Sequence, residues 1–178
     1  MKAFAVVLLA LTFSASAAGA ADIYAKYFAD ADGGRVCYAR YYDAAHLAAH
    51  PRQAVRRIMV DYDRHVHEDA DPENTAAKFI AGIGFMLKHS GGWYTQELFC
   101  KTAGGYFDCY LDADGGSIRL IPDRDALRLH VVGGGGGTDS IVVEGTSGFG
   151  KFGAPASDDR VFVLPRADRK LCNSAIAR

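Results

Sequence analysis

The sequence predicts a mainly β protein: an antiparallel up-and-down barrel or meander of about eight strands with one short helix, the alternative being a two-sheet β-sandwich. Three observations predict it. Short runs rich in β-branched and aromatic residues recur from Val36 onward, tight turns separate them, and two cysteines stand symmetrically about one of those turns. In the stretch Phe99-Cys-Lys-Thr-Ala-Gly-Gly-Tyr-Phe-Asp-Cys-Tyr110, a loop at Gly104-Gly105 sets Ala103 opposite Tyr106, Thr102 opposite Phe107, Lys101 opposite Asp108 and Cys100 opposite Cys109. Hydrogen-bonded and non-hydrogen-bonded pairs alternate outward from such a turn. The cysteines therefore fall at a non-hydrogen-bonded position, where side chains come closest and a disulfide closes with little backbone movement.

The elements follow in chain order. Met1-Lys2, the apolar run Ala3 to Phe13 and the small residues Ser14 to Ala21 read as a cleaved secretory signal over 1–20, with Ala18-Gly19-Ala20 fitting the cleavage rule. The run is shorter than the roughly 20 apolar residues a membrane span needs, so 21–178 is expected to be one soluble β-domain. Val36 to Tyr42 is the first strand. Asp43 to Pro51 is about two turns of helix, with Asp43 as N-cap and Pro51 disfavouring helix at His50. In the next strand Ile58, Val60 and Tyr62 share one face and Met59 and Asp61 the other. Asp63 to Thr75 is a polar loop. Lys78 to Lys88 is a strand in which Gly82 and Gly84 mark a bulge or a bend.

Trp93 to Val132 reads as a continuous meander. Its turns are Gly104-Gly105, the favoured hairpin dipeptide Asp114-Gly115, and Pro122 to Asp125. The absence of a long crossover there favours a barrel over a Greek-key sandwich. Gly133 to Gly137 is a flexible loop and not a phosphate loop, because it lacks the Gly-Lys-Ser/Thr ending. Ser140 to Glu144 and Arg160 to Pro165 are the last two strands, with loop over Gly145 to Pro155.

The chain has four cysteines, which allow three pairings. Pairing across the hairpin leaves Cys37 with Cys172, tying the first strand to the C-terminal end. No C-x-x-C occurs, which counts against an all-cysteine zinc site. The net charge of −1, with acid and base interspersed, excludes nucleic acid and anionic membrane surfaces as partners. No cofactor is implied.

Each chemical motif has a plain reading beside a functional one. Asp112-x-Asp114-Gly115-Gly116 starts like a calcium loop but lacks the later ligands, and turn chemistry explains it. His46 and His50 share a helix face, and His65 and His67 share a strand face; either pair suits zinc or copper, yet no third ligand is evident. No serine sits in a Gly-x-Ser-x-Gly elbow, and the paired cysteines are not nucleophiles. Glu97 and Glu144 are isolated strand glutamates, and a glycosidase would need two such carboxylates across a cleft. Alternation places Tyr106 and Tyr110 on the face opposite Phe107 and Cys109. If that face points outward, the tyrosines form an aromatic patch for a protein or glycan partner.

Three stretches carry a resemblance: His46-x3-His50-Pro51-x-Gln53-x-Val55, the Cys100–Cys109 hairpin with Asp114-Gly-Gly116, and Asp158-Asp159-x-Val-Phe-x-Leu with Cys172. Together they resemble a group of uncharacterised secreted proteins of Gram-negative bacteria, which implies a periplasmic location and no particular activity. The expected function is non-catalytic binding or structural support in the periplasm, with an unknown protein or a small ligand as partner. Alternatives are inhibition of a secreted hydrolase such as lysozyme, by analogy of fold, and metal binding by His46/His50 or His65/His67.

Overall fold

The computed structural model describes residues 23–64, 79–112, 114–134, 139–145 and 148–176, with side chains to Cys172. Among the described residues ten strands run in chain order: β1 (Arg35–Tyr41), β2 (Val55–Asp63), β3 (Phe79–Leu87), β4 (Tyr94–Ala103), β5 (Tyr106–Leu111), β6 (Gly116–Asp123), β7 (Ala126–Gly133), β8 (Ile141–Gly145), β9 (Gly148–Phe152) and β10 (Val161–Pro165). The described residues also form two α-helices, α1 (Ala44–Ala49) between β1 and β2 and α2 (Arg169–Ile176) after β10. Eight strands pair antiparallel in the order β1-β2-β3-β4-β5-β6-β7-β10. An isolated bridge between Tyr38 and Arg166 brings β10 back to β1 and nearly closes a barrel.

Register follows from alternation. Val36 and Tyr38 of β1, Ile58, Val60 and Tyr62 of β2, and Phe107, Cys109 and Leu111 of β5 all point into one buried core. A one-residue slip would send each set to the outside, so the core itself pins the pairing. Cys100 lies opposite Cys109, as the hairpin symmetry requires, with Cα atoms 4.1 Å apart and the disulfide formed inside the core. Cys37 is bridged to Cys172.

Both ends of the barrel are stopped by side chains. At one end, a π-helical turn over Ala25–Ala29 and a 3-10 turn over Ala31–Gly33 precede β1. The Phe28 ring lies 4.9 Å from Phe79, 5.1 Å from Phe107, 5.8 Å from Tyr62 and 6.2 Å from Tyr38 between ring centroids. Hydrogen bonds hold this plug: Tyr38 Oη donates to Tyr27 O (2.9 Å), and Tyr27 Oη donates to Arg124 O in the β6–β7 turn (2.7 Å). At the other end the β8–β9 hairpin folds in, joined to β4 through Tyr94 and Gly145. The Tyr94 ring lies against the backbone of Gly145 and Gly150, where an added Cβ would come within 2.5 and 2.6 Å of it. Phe152 fills the space beside Phe85 (4.7 Å) and Phe162 (5.8 Å).

Several sequence expectations need correction. Gly145 to Pro155 is not all loop: Gly148–Phe152 forms β9, because glycine at 150 is what lets the strand pass under Tyr94. Gly82 and Gly84 make no bulge; the register shift of the β2–β3 pair falls between Val55 and Arg57. The glycines instead leave room for the side chains of Asp61 and Met59 on the neighbouring strand. The turn at Asp114-Gly115 is a four-residue connection, 112–115, with positive φ at Gly116. One short helix was expected, whereas α2 and the N-terminal turns are additional. The proposed loop over Asp63 to Thr75 lies mostly outside the described residues, as does most of Gly133 to Gly137.

Phe28 is fully buried and neighbours five other rings, so its truncation should leave a cavity that the barrel end cannot collapse around. Phe28→Ala is expected to lower stability by about 3–5 kcal/mol in urea unfolding, with the disulfides intact.

Candidate functional site

The outward side chains of β4–β7 and β10 form three cross-strand rows, set by the register of the meander. The first contains Ala103, Tyr106, Arg128 and Val163, with Ile121 beside Arg128. The second reads Lys101, Asp108, Arg119, His130 and Val161. The third reads Phe99, Tyr110, Ser117 and Gly133, with Val132 alongside. Aromatic rings thus occupy one side, valines the other, and charges the middle.

The charges are largely paired within the sheet. Arg119 Nε meets Asp108 Oδ1 at 3.0 Å, and its guanidinium lies 4.1 Å from the centre of the Tyr106 ring. Arg128 Nη2 meets Asp123 Oδ2 at 2.6 Å. Tyr110 stacks on Phe99 with ring centroids 5.3 Å apart. Its hydroxyl is shielded from solvent and has no hydrogen-bond partner among the described residues, and the same holds for His130 Nε2. Desolvation, reinforced by the Arg128 and Arg119 guanidinium groups, pushes the His130 pKa down, so its ring is neutral at physiological pH. A shallow cleft of about 330 Å³ opens here, lined by Lys101, Asp108, Tyr110, Ser117, Arg119 and Val132.

Next to these polar rows, Val132, Val161 and Val163 are half exposed, at 50, 49 and 46%. Three half-bare valines on adjacent strands are the less usual feature, since scattered exposed apolar residues are normal and contiguous ones mark contact surfaces. Tyr106 and Tyr110 do face outward as alternation requires, each partly covered by a neighbour. Sequence reasoning missed the valines, although the same alternation that placed the tyrosines places Val161 and Val163 outside.

A second depression, about 480 Å³, lies where the β8–β9 hairpin meets β4, lined by Gln96, Asp112, Asp114, Glu144 and Phe149 among others. Asp112 and Asp114 stand on the β5–β6 connection. Glu144 lines the depression, whereas Glu97 is exposed on β4 and does not. No group of three metal-ligating side chains occurs among the described residues.

The histidines of α1 serve its docking. Asp43 caps the helix by accepting from His46 N (2.7 Å), and the His46 and His50 rings stack at 4.3 Å. His46 Nε2 is hydrogen bonded to Gln53 Oε1 (3.0 Å), and Gln53 Nε2 donates to Val55 O (2.7 Å). The His46-to-Val55 motif is therefore one hydrogen-bonded corner. His65 and His67 lie outside the described residues. Asp159 has a similar structural use: fully buried, it accepts from Ala54 N (2.6 Å) and Val55 N (3.2 Å). Burial raises its pKa, against the opposing effect of those two donors.

No family model matches this sequence, and no curated protein or solved structure matches it either. The fold and the outer surface define the class: a disulfide-stapled antiparallel β-barrel with a filled interior. Two disulfides point to an oxidising compartment. No helix among the described residues is long and apolar enough to cross a membrane.

Because the Tyr110 hydroxyl is shielded and unpartnered, removing it should relieve a desolvation cost. Tyr110→Phe is expected to leave the melting temperature unchanged or raise it, by up to about 1 kcal/mol of stability. A clear fall in calorimetric melting temperature would show that the hydroxyl has a partner in the folded protein.

Proposed function

We propose that this protein is a secreted, non-catalytic binding module of the periplasm that engages a partner protein through the outer face of β4–β7 and β10. The observation that carries this reading is the half-exposed trio Val132, Val161 and Val163 on the same outer face as Tyr106, Tyr110 and Phe99, with the paired charges between. Interface centres favour this mixture: aromatic and aliphatic side chains with arginine, and few unpaired charges. The interior supports the same reading from the other direction. Phe28, Phe85, Phe107 and Phe162 are fully buried inside the barrel, so its core is occupied by its own side chains. A ligand then has to be met on the surface.

Secretion rests on the leader-like residues 1–20 and on the two disulfides, and the periplasm on the resemblance carried by the His46, Cys100 and Asp158 motifs. Inhibition of a secreted hydrolase is one form such binding would take, with the hydrolase as the partner. Metal binding at His46 and His50 is the weaker reading, since His46 is engaged by Gln53 and α1 offers no third ligand.

The test is differential capture from a periplasmic extract, with bound species identified by mass spectrometry. Val161→Asp with Val163→Asp, and separately Tyr110→Ala, are expected to retain at least about tenfold less of whatever wild type retains, as loss of a contact-centre residue does. Ala48→Asp, on exposed α1, is expected to retain as much as wild type. Equal loss in all variants, or nothing retained by wild type, contradicts the reading.

A further inference from the structure

On the side of the barrel opposite this face, α2 lies over the outer wall of β1–β3. The wall there is apolar. Cys37 and Ala39 of β1 and Met59 of β2 cluster with Cys172, and Trp93, Ala167 and Leu171 pack against them. Into the same layer points a carboxylate, Asp61, only 7% exposed. Its cross-strand neighbours are Cys37 and Gly82, and a Cβ on residue 82 would collide with its carboxylate. Glycine thus makes the room that an acid here requires.

The charges around Asp61 are spent elsewhere. From α2, Arg169 binds Asp63 Oδ2 (2.5 Å), while Asp168 and Lys170 are exposed. From β1, Arg35 also binds Asp63, through Oδ1 at 3.3 Å. The outward residues of β3 here, Ile80, Gly82 and Gly84, carry no charge, while β4 sets the like-charged Glu97 opposite Gly82. On the same face β2 adds the like-charged Asp63 and, four residues before Asp61, Arg57, whose guanidinium lies 4.8 Å from the centre of the Tyr41 ring. Asp61 Oδ1 has no hydrogen-bond partner. Two guanidinium groups thus bind Asp63, and among the described residues no cation is in ion-pair contact with Asp61.

We propose that α2 is a pH-gated flap: when Asp61 loses its proton, the helix lifts from the β1–β3 wall on its Cys37–Cys172 tether and uncovers the apolar patch around Met59. A buried, unpaired carboxylate is costly, whereas a neutral carboxyl in the same place is tolerated. Burial, the largest influence, raises the Asp61 pKa from 3.8 to about 7, with Asp63 raising it further and its own backbone hydrogen bond and Arg169 opposing. The sign follows. A carboxyl whose pKa is raised by docking favours the docked helix when protonated. That contribution is complete below the ordinary value and is lost as pH rises through about 7. Water reaches Oδ1 if the helix moves. The disulfide keeps Cys172 against Cys37, so the movement is a local hinge and the barrel stays folded.

Trp93 is the only tryptophan of the chain and packs against this patch, so its emission reports the flap directly. The full chain, with disulfides intact, is titrated from acid to alkaline pH while far-UV circular dichroism monitors the fold. The expected result is a red shift of Trp93 emission and easier acrylamide quenching with a midpoint between the ordinary value of 3.8 and the docked value of about 7, both lost in Asp61→Asn. Emission that does not change with pH overturns the proposal, and so does an Asp61→Asn protein that titrates like wild type. Should Asp61→Asn fail to fold, carbon-13 carboxyl resonances of the wild type decide. An Asp61 signal titrating in the ordinary carboxylate range overturns the flap, and one titrating together with the Trp93 shift supports it.

Discussion

The rest of the structure depends on how β10 is held against β1. Every other neighbouring pair in the barrel shares a hydrogen-bonded ladder, but this pair shares the single bridge between Tyr38 and Arg166. One further backbone hydrogen bond, buried side chains and a disulfide do the work that a ladder does elsewhere. Near the plugged end, Ala167 N donates to Cys37 O (2.8 Å), and the Cys37–Cys172 disulfide follows one turn into α2. Near the opposite end, the buried Asp159 carboxylate accepts from the backbone of Ala54 and Val55, and Arg52 pairs with Asp158 (2.8 Å). The disulfide closes a sequence separation of 135 residues, for which the chain-entropy model gives a stabilisation of about 5 kcal/mol. A closure of that kind is what lets the two ends of the chain meet without an open sheet edge.

Closure determines where function is possible. Once β10 meets β1, the plug at Ala25–Ala29 and the β8–β9 hairpin stop the two mouths, and the enclosed volume fills with rings. The inward half of each strand is then committed to packing, and only the outward half is left to meet anything. On β4–β7 and β10 that half is a mixture of aromatics, paired charges and bare valines. On β1–β3 α2 lies over an apolar cluster of Cys37, Ala39 and Met59, with Asp61 and Asp63 next to it. The same alternation thus gives one free face and one covered face on opposite walls.

What the sequence made legible was local or symmetric. The Cys100–Cys109 register could be read because both strands count outward from one two-residue loop. The α1 cap at Asp43 and the inward set Ile58, Val60 and Tyr62 rest on short-range rules of the same kind. The missed elements draw their structure from distant partners. Tyr24 to Gly33 has no strand or helix period; its rings adopt their turn because the barrel end receives them. The strand Gly148–Phe152 is hidden by glycines that Tyr94 requires. Asp158-Asp159 looks like turn chemistry, and only the fold shows one of the two fully buried on the Ala54 and Val55 amides. Asp61 and Gly82 were legible as residues, but their dependence on each other arises only across the β2–β3 pair.

The most direct measurement is residue-resolved hydrogen exchange of the Cys37→Ala/Cys172→Ala protein against wild type, with Cys100–Cys109 left intact. If the β10–β1 closure rests on side chains and the disulfide, amides of β1 and β10 lose protection first while the β4–β6 amides keep theirs. Uniform loss across all strands, or unchanged protection in β1 and β10, would contradict it.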